Sequence, residues 1–265
     1  MSTAGKQSSV DNQKANSHLS PYSVGSNRFG FFMPTISFAS SKGGVGKSTS
    51  AVLLATDLAS RGASVTIIDA DPNQPVSRWS RKPGCPDKLI VISAVTEETL
   101  LDAIDAAARK TTFVIVDLEG TASLMVAQAM SRADLVIIPT KGSELDAIEA
   151  VKVIKFIGRQ EKAYNKTIPF AVLFTQTNPA VRPRTLKSLE QDMLTKGIPL
   201  FGTALHERDA FRAIFSFGGT LSNLDQGAVS NVPAALINAR QFTAETIDML
   251  RRQQQPAAER PAEVA

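Results

Sequence analysis

The sequence predicts a doubly wound α/β fold, a mostly parallel sheet of about seven strands with helices on both faces. Two observations predict it. Short runs rich in β-branched residues alternate with helix-period segments from residue 35 onward. A glycine-rich turn, Ser41-Lys42-Gly43-Gly44-Val45-Gly46-Lys47-Ser48-Thr49, joins the first such run to the first helical pattern.

The strands are expected at Thr35 to Ala39, Ser64 to Asp69, Leu89 to Ser93, Thr112 to Asp117, Asp134 to Pro139, Ile168 to Thr175 and Pro199 to Ala204. Each is a short apolar run bounded by turn residues, as in strands buried on both faces. The first helix opens at the glycine-rich turn and carries Ala51, Leu54, Ala55 and Leu58 on one face, with Gly62 as its stop. Further helices are expected at Glu97 to Arg109, Glu144 to Lys162, Thr185 to Lys196 and Pro233 to Gln254.

Residues 1–33 are rich in Ser, Asn and Gln without hydrophobic periodicity and are expected to be a disordered extension. They contain no apolar secretory core, and Met33, just before the first strand, is a candidate start of the essential chain. Residues 34–254 form the expected folded domain, followed by a flexible, proline-containing tail at 255–265.

Of the 265 residues 43% are hydrophobic, ample for a core, yet no apolar run approaches the roughly 18 residues that cross a bilayer. Cys85 is the only cysteine, which excludes an intrachain disulfide and a cysteine-rich metal cluster and is compatible with a reducing compartment. The net charge of +4 permits binding to nucleic acid or an anionic surface without requiring either.

The glycine-rich turn carries the chemistry. Gly43, Gly44 and Gly46 allow a backbone to approach phosphate closely, Val45 completes the loop, and the helix N-terminus behind it favours anions. Lys47 is placed to reach the outer phosphates, Ser48 to ligate Mg²⁺ directly, and Thr49 to donate to the α phosphate. Asp69 and Asp71 in Asp69-Ala70-Asp71-Pro72, and Asp117, stand at strand C-termini, where open α/β sheets bind ligands. Carboxylates gathered beside a polyphosphate imply a cation, and magnesium suits them. Lys42 is a second lysine in a loop that ordinarily needs one, and Ser41 replaces the loop's usual first glycine.

These motifs resemble the ParA/MinD family of deviant Walker A ATPases, within the P-loop NTPase class, over about residues 34 to 250. The resemblance implies ATP and Mg²⁺ as cofactors and slow hydrolysis coupled to formation of a nucleotide-sandwich homodimer. It implies that Lys42 acts on the partner's phosphates, that Asp71 orients the attacking water, and that Asp69 and Asp117 hold the magnesium shell. A lone cysteine argues against the cluster-carrying iron proteins, and the polar terminus after Leu250 is a poor amphipathic membrane anchor.

The remaining branch, the partitioning ATPases, implies a cytoplasmic protein that joins the nucleoid when ATP-bound. It binds nonspecific DNA and is released by a ParB-like or other adaptor. Arg182, Arg184, Lys187, Arg208 and Arg212 are candidate DNA contacts, with an ordinary solvated face as the other reading because Glu190, Glu207 and Asp209 are interspersed. Leu118-Glu119-Gly120-Thr121, the segment from His206 to Phe211, and Val76-Ser77-Arg78-Trp79 are similar to the ParA-like ATPase that promotes T-DNA transfer. Recruitment of a relaxase complex is therefore an alternative setting, and a nucleotide-gated scaffold with negligible turnover is another. Trp79 reads as packing or as a partner contact, His206 as a loop support or a nucleotide-edge contact, and Glu119 as a modulator of hydrolysis or a helix cap.

Overall fold

The computed structural model describes residues 33–120 and 123–254. Seven parallel strands form one sheet in the order β3-β2-β4-β1-β5-β6-β7, with β1 Thr35–Phe38, β2 Val65–Ala70, β3 Leu89–Ile92, β4 Phe113–Leu118, β5 Leu135–Thr140, β6 Phe170–Thr177 and β7 Leu205–His206. The helices are α1 Lys47–Ser60, α2 Pro75–Ser80, α3 Leu100–Ala108, α4 Leu124–Arg132, α5 Glu144–Tyr164, α6 Arg184–Thr195, α7 Asp209–Phe217 and α8 Val232–Gln254.

Alternation along the strands divides the apolar residues between two cores. Ile36, Phe38, Ile67 and Ile115 pack with α1, α2, α7 and α8 on one face; Ile68, Val114, Val116 and Val136 pack with α3, α4, α5 and α6 on the other. Both faces of the central strands are covered, which explains their continuous rather than alternating hydrophobicity.

Six strands lie within two residues of expectation at each end; the seventh is displaced. Leu200 makes only an isolated bridge to Val172. The amides of Gly202 and Thr203 then turn away to the Glu245 carboxylate at 2.6 and 2.8 Å, so the ladder resumes only at Leu205. A long-range carboxylate thus takes the hydrogen bonds that would have continued the strand. Glu97 to Thr99 form a turn rather than the start of a helix, which begins at Leu100. Three helices, α2, α4 and α7, lie outside the expected set. The expected extension and tail fall outside the described residues, apart from Met33.

α1 ends as expected. Gly62 adopts a left-handed φ of 95° directly after the last turn. Trp79 is a packing residue, 1% exposed, whose indole N–H donates to the Gly219 carbonyl at 3.0 Å. That contact closes a tight joint between α2 and the end of α7. A Cβ on Gly218 would meet Lys82 Cβ at 2.5 Å, and the Lys82 ammonium holds the Ser216 carbonyl at 2.9 Å. Cys85 is half-buried, its thiol pushed up by burial and by the Asp87 charge, in keeping with an inert residue.

Candidate active site

The order of the sheet reverses at β1, which lies between β4 and β5, and the glycine-rich loop leaves the C-terminal end of that strand. Gly44 and Gly46 take φ values of 72° and 89°, a left-handed backbone that residues with a Cβ rarely adopt. The Gly44 carbonyl accepts from Gln176 Nε2 at 3.0 Å and the Val45 carbonyl from Thr175 Oγ1 at 2.7 Å. In a trans peptide the following N–H points opposite its carbonyl, so the amides of Val45 and Gly46 face away from β6. Gly120 packs behind the loop: a Cβ there would lie 3.3 Å from the Lys42 carbonyl carbon.

These parts surround a cavity of about 560 Å³, lined by Gly43, Gly44, Gly46, Lys47, Ser48, Thr49, Asp71, Pro72, Asn73, Glu119, Gly120 and Gln176. The volume lies within the range of small-molecule sites. A smaller cavity of about 160 Å³ adjoins it, sharing Gly46, Thr49 and Gln176 and walled by Thr175, His206, Arg208, Phe211 and Arg212.

The two lysines have different surroundings. Lys47 is 6% exposed, and its ammonium lies 3.3 Å from Ser40 Oγ and 3.5 Å from the Lys42 carbonyl. Burial lowers its pKa, against the opposing charges of Asp117, Asp71 and Glu119. Lys42 has a side chain 48% exposed, and its ammonium donates to Asp146 on α5 at 2.6 Å. Ser41 makes a parallel attachment one turn further along that helix, donating to the Glu149 carbonyl and carboxylate at 2.9 and 2.8 Å. Both departures from the ordinary loop therefore bind it to the start of α5.

Asp146 is 5% exposed. Burial raises its pKa, but hydrogen bonds from Lys42 and Ser143, with the charges of Lys42 and Lys141, outweigh burial and hold the carboxyl below its ordinary value.

Asp69 and Asp117 are register partners on adjacent strands, two residues beyond Ile67 and Ile115, so both carboxylates face the α1 side. Asp69 Oδ2 accepts from the Ser77 amide at 2.7 Å, anchoring α2, while Oδ1 is buried without a partner. Burial raises the Asp69 pKa despite that bond.

Neither Asp117 oxygen receives a donor with hydrogen-bond geometry. The Ser48 hydroxyl stands close enough to pull its pKa down, yet burial, aided by Asp69 and Asp71, pushes it up to about 7. Three buried, unsatisfied carboxylate oxygens beside a cavity fit a hydrated cation held by hydrogen bonds through its waters. Among the described residues no group of three or more His, Cys, Asp or Glu is arranged as direct ligands.

A pH dependence follows. Between the ordinary carboxylate value of 3.8 and about 7 the folded, metal-free protein holds a proton on Asp117 that the unfolded chain releases. Stability therefore falls as pH rises through that window, by an amount on the order of a few kcal/mol. Asp117→Asn is expected to be more stable than wild type in urea unfolding at pH 8 without metal, with the gain shrinking toward pH 5. A pH-independent difference would contradict the assignment.

Asp71 is half-buried at the cavity wall and accepts from the Asn73 amide at 2.8 Å. His206 donates to or accepts from Thr177 Oγ1 at 2.8 Å, and its pKa is lowered by burial and by Arg208. It thus links β7 to β6 at the sheet edge and also lines the small cavity. The candidate DNA contacts are divided between the neighbourhoods of α6 and α7, which pack on opposite faces of the sheet. Arg182 is paired with Glu190, Arg212 with Glu207 and Asp209, and Arg208 has its Nε buried beside the small cavity. Arg184 and Lys187 are exposed on α6.

Sequence reasoning missed Thr175, Gln176, Asp146 and Glu149. The first two end a strand, the same signal that identified the aspartates. The acids of α5 carry no signal beyond an N-terminal turn, and only the fold brings them to the loop.

Among the described residues no helix is long and apolar enough to cross a membrane. The VirC1 protein family model matches residues 33–255. ParA of Rhizobium radiobacter is 39% identical over 210 residues, covering 79% of this chain and 94% of that protein. VirC1 of Rhizobium rhizogenes is 33% identical over 187 residues, covering 69% and 80%. A plasmid partition protein of Borrelia burgdorferi, solved with AMPPNP bound, shares the fold at a TM-score of 0.62 and 20% identity, covering 82% of this chain and all of that one. The family match across all the described residues, on a fold with this phosphate loop, means that the chain belongs to the VirC1 family of ParA-like ATPases.

Proposed function

We propose that the protein hydrolyses Mg-ATP slowly in a nucleotide-sandwich homodimer, and that the ATP-bound dimer loads onto nonspecific DNA and leaves it on hydrolysis. The separation of the two lysines carries this reading. Lys47 is buried and lines the cavity, while Lys42 lies outside that lining, half-exposed and paired with Asp146.

In the proposed site Lys47 and the loop amides bind the β and γ phosphates, Ser48 ligates Mg²⁺, and Asp69 and Asp117 hold its waters. The metal supplies charge neutralisation on the phosphates. Asp71 orients the attacking water, and the small cavity beside Thr49 accepts the nucleoside. Leu124 on α4 and Leu145 and Ile148 on α5 are 56%, 71% and 50% exposed near the same end of the sheet, an apolar surface suited to a second copy.

The adaptor that triggers release is a ParB-like protein or a relaxase complex. The second is supported by the family match and by Glu119, which lines the cavity and belongs to one of the segments that resemble the T-DNA transfer ATPase.

The test is sedimentation with a nonspecific duplex. Mg-ATP is expected to give a dimer retained on DNA, while ADP, or ATP with the metal chelated, gives an unretained monomer. Retention indifferent to nucleotide would reject the loading cycle.

A further inference from the structure

The exposed face of α5 carries an ordered row of charge that the functional reading does not use. Lys152, Lys155, Arg159 and Lys162 are all exposed and spaced three, four and three residues apart. At helical geometry they lie within about an 80° arc and span about 15 Å. Lys152 pairs with Glu149 at 2.7 Å, whereas Lys155, Arg159 and Lys162 have no acidic partner among the described residues. Glu161 lies on the opposite side of the helix, where it accepts from the Ile168 amide at 2.9 Å.

The same arc continues toward the phosphate loop as Ile148 and Leu145, so one helix face changes from apolar to cationic within a turn. Its apolar end adjoins the Lys42–Asp146 and Ser41–Glu149 attachments.

We infer that this face of α5 is the duplex-binding surface, with Lys155, Arg159 and Lys162 neutralising backbone phosphates. The inference rests on the proposed DNA-loading reading and gives it a location apart from the candidates named on sequence grounds, of which Arg182 and Arg212 have acidic partners. A 15 Å row parallels about four base pairs of a duplex. No apolar side chain is interposed between the cations on this arc, as insertion into a lipid surface would require. Because α5 starts at the nucleotide site, a second copy seated on Leu145 and Ile148 would place two such rows in one assembly.

The experiment is fluorescence anisotropy of a mixed-sequence duplex with full-length protein and Mg-ATP over a salt series. The variant Lys155→Gln/Arg159→Gln/Lys162→Gln is expected to bind more than tenfold more weakly. Its log–log salt slope should be shallower by about 2.7 for each row engaged. ATP-dependent dimerisation should be unchanged, and Lys155→Arg/Arg159→Lys/Lys162→Arg should bind as wild type. Arg182→Gln/Arg212→Gln is expected to shift the slope by less than about one unit. A triple variant with wild-type affinity and slope overturns the inference while leaving DNA loading intact. So does a triple variant that loses only binding to phosphatidylserine vesicles. A wild-type ATP form that does not bind the duplex overturns both.

Discussion

Lys42→Ala protein is expected to bind ATP and remain monomeric, with turnover reduced at least about 100-fold. Nucleotide binding survives because Lys47, Ser48 and the loop backbone line the cavity, whereas the Lys42 side chain points to α5. Dimerisation fails because, in the proposed cycle, the Lys42 ammonium leaves Asp146 for the partner's phosphates. That move exchanges one carboxylate for a more strongly charged polyphosphate. The loop need not move with it, since Ser41 keeps its hold on Glu149 and Thr175 and Gln176 hold the other end. Light scattering with and without ATP reads the result, and ATP-dependent dimers of Lys42→Ala at wild-type concentration dependence would sink the assignment.

Asp71→Ala is expected to do the opposite, accumulating an ATP-bound dimer while single-turnover hydrolysis slows by about 100-fold or more. Asp71 lies between two fixed points. Behind it Asp69 holds the Ser77 amide, and beyond it Trp79 anchors α2 to Gly219. The chain between them is tightened by the Asn73 amide on Asp71 and the Gln74 amide on the Asp71 carbonyl, both 2.8 Å. A carboxylate so held can orient a water at the γ phosphate without contributing much to ground-state affinity, so its loss affects the chemical step. Hydrolysis at the wild-type rate would remove Asp71 from that role.

Much of this was legible in the sequence because the relevant signals are local. A left-handed turn needs Gly44 and Gly46, and a buried parallel strand needs an unbroken run such as Val114-Ile115-Val116; both can be read within a few residues. What escaped depends on distant partners. The displacement of β7 is set by Glu245, more than forty residues away, and the resting place of Lys42 by Asp146. The acids interspersed among the candidate DNA contacts were visible in the sequence, and Glu190, Glu207 and Asp209 are the ones that pair with Arg182 and Arg212. The α5 row has helical spacing, but its exposure is decided only when Val153 and Ile157 turn inward.

The central claim is that Lys42 completes the partner's site, and a mixture of two inactive proteins tests it. Lys42→Ala supplies an intact Asp71, and Asp71→Ala supplies an intact Lys42. In their heterodimer one site has its own Asp71 and receives the partner's lysine, while the other lacks both. Mixing the two with Mg-ATP is expected to restore turnover, to a sizeable fraction of the wild-type rate, in proportion to heterodimer formed. Heterodimers that form but stay inactive would show that Lys42 works on its own nucleotide and contradict the account.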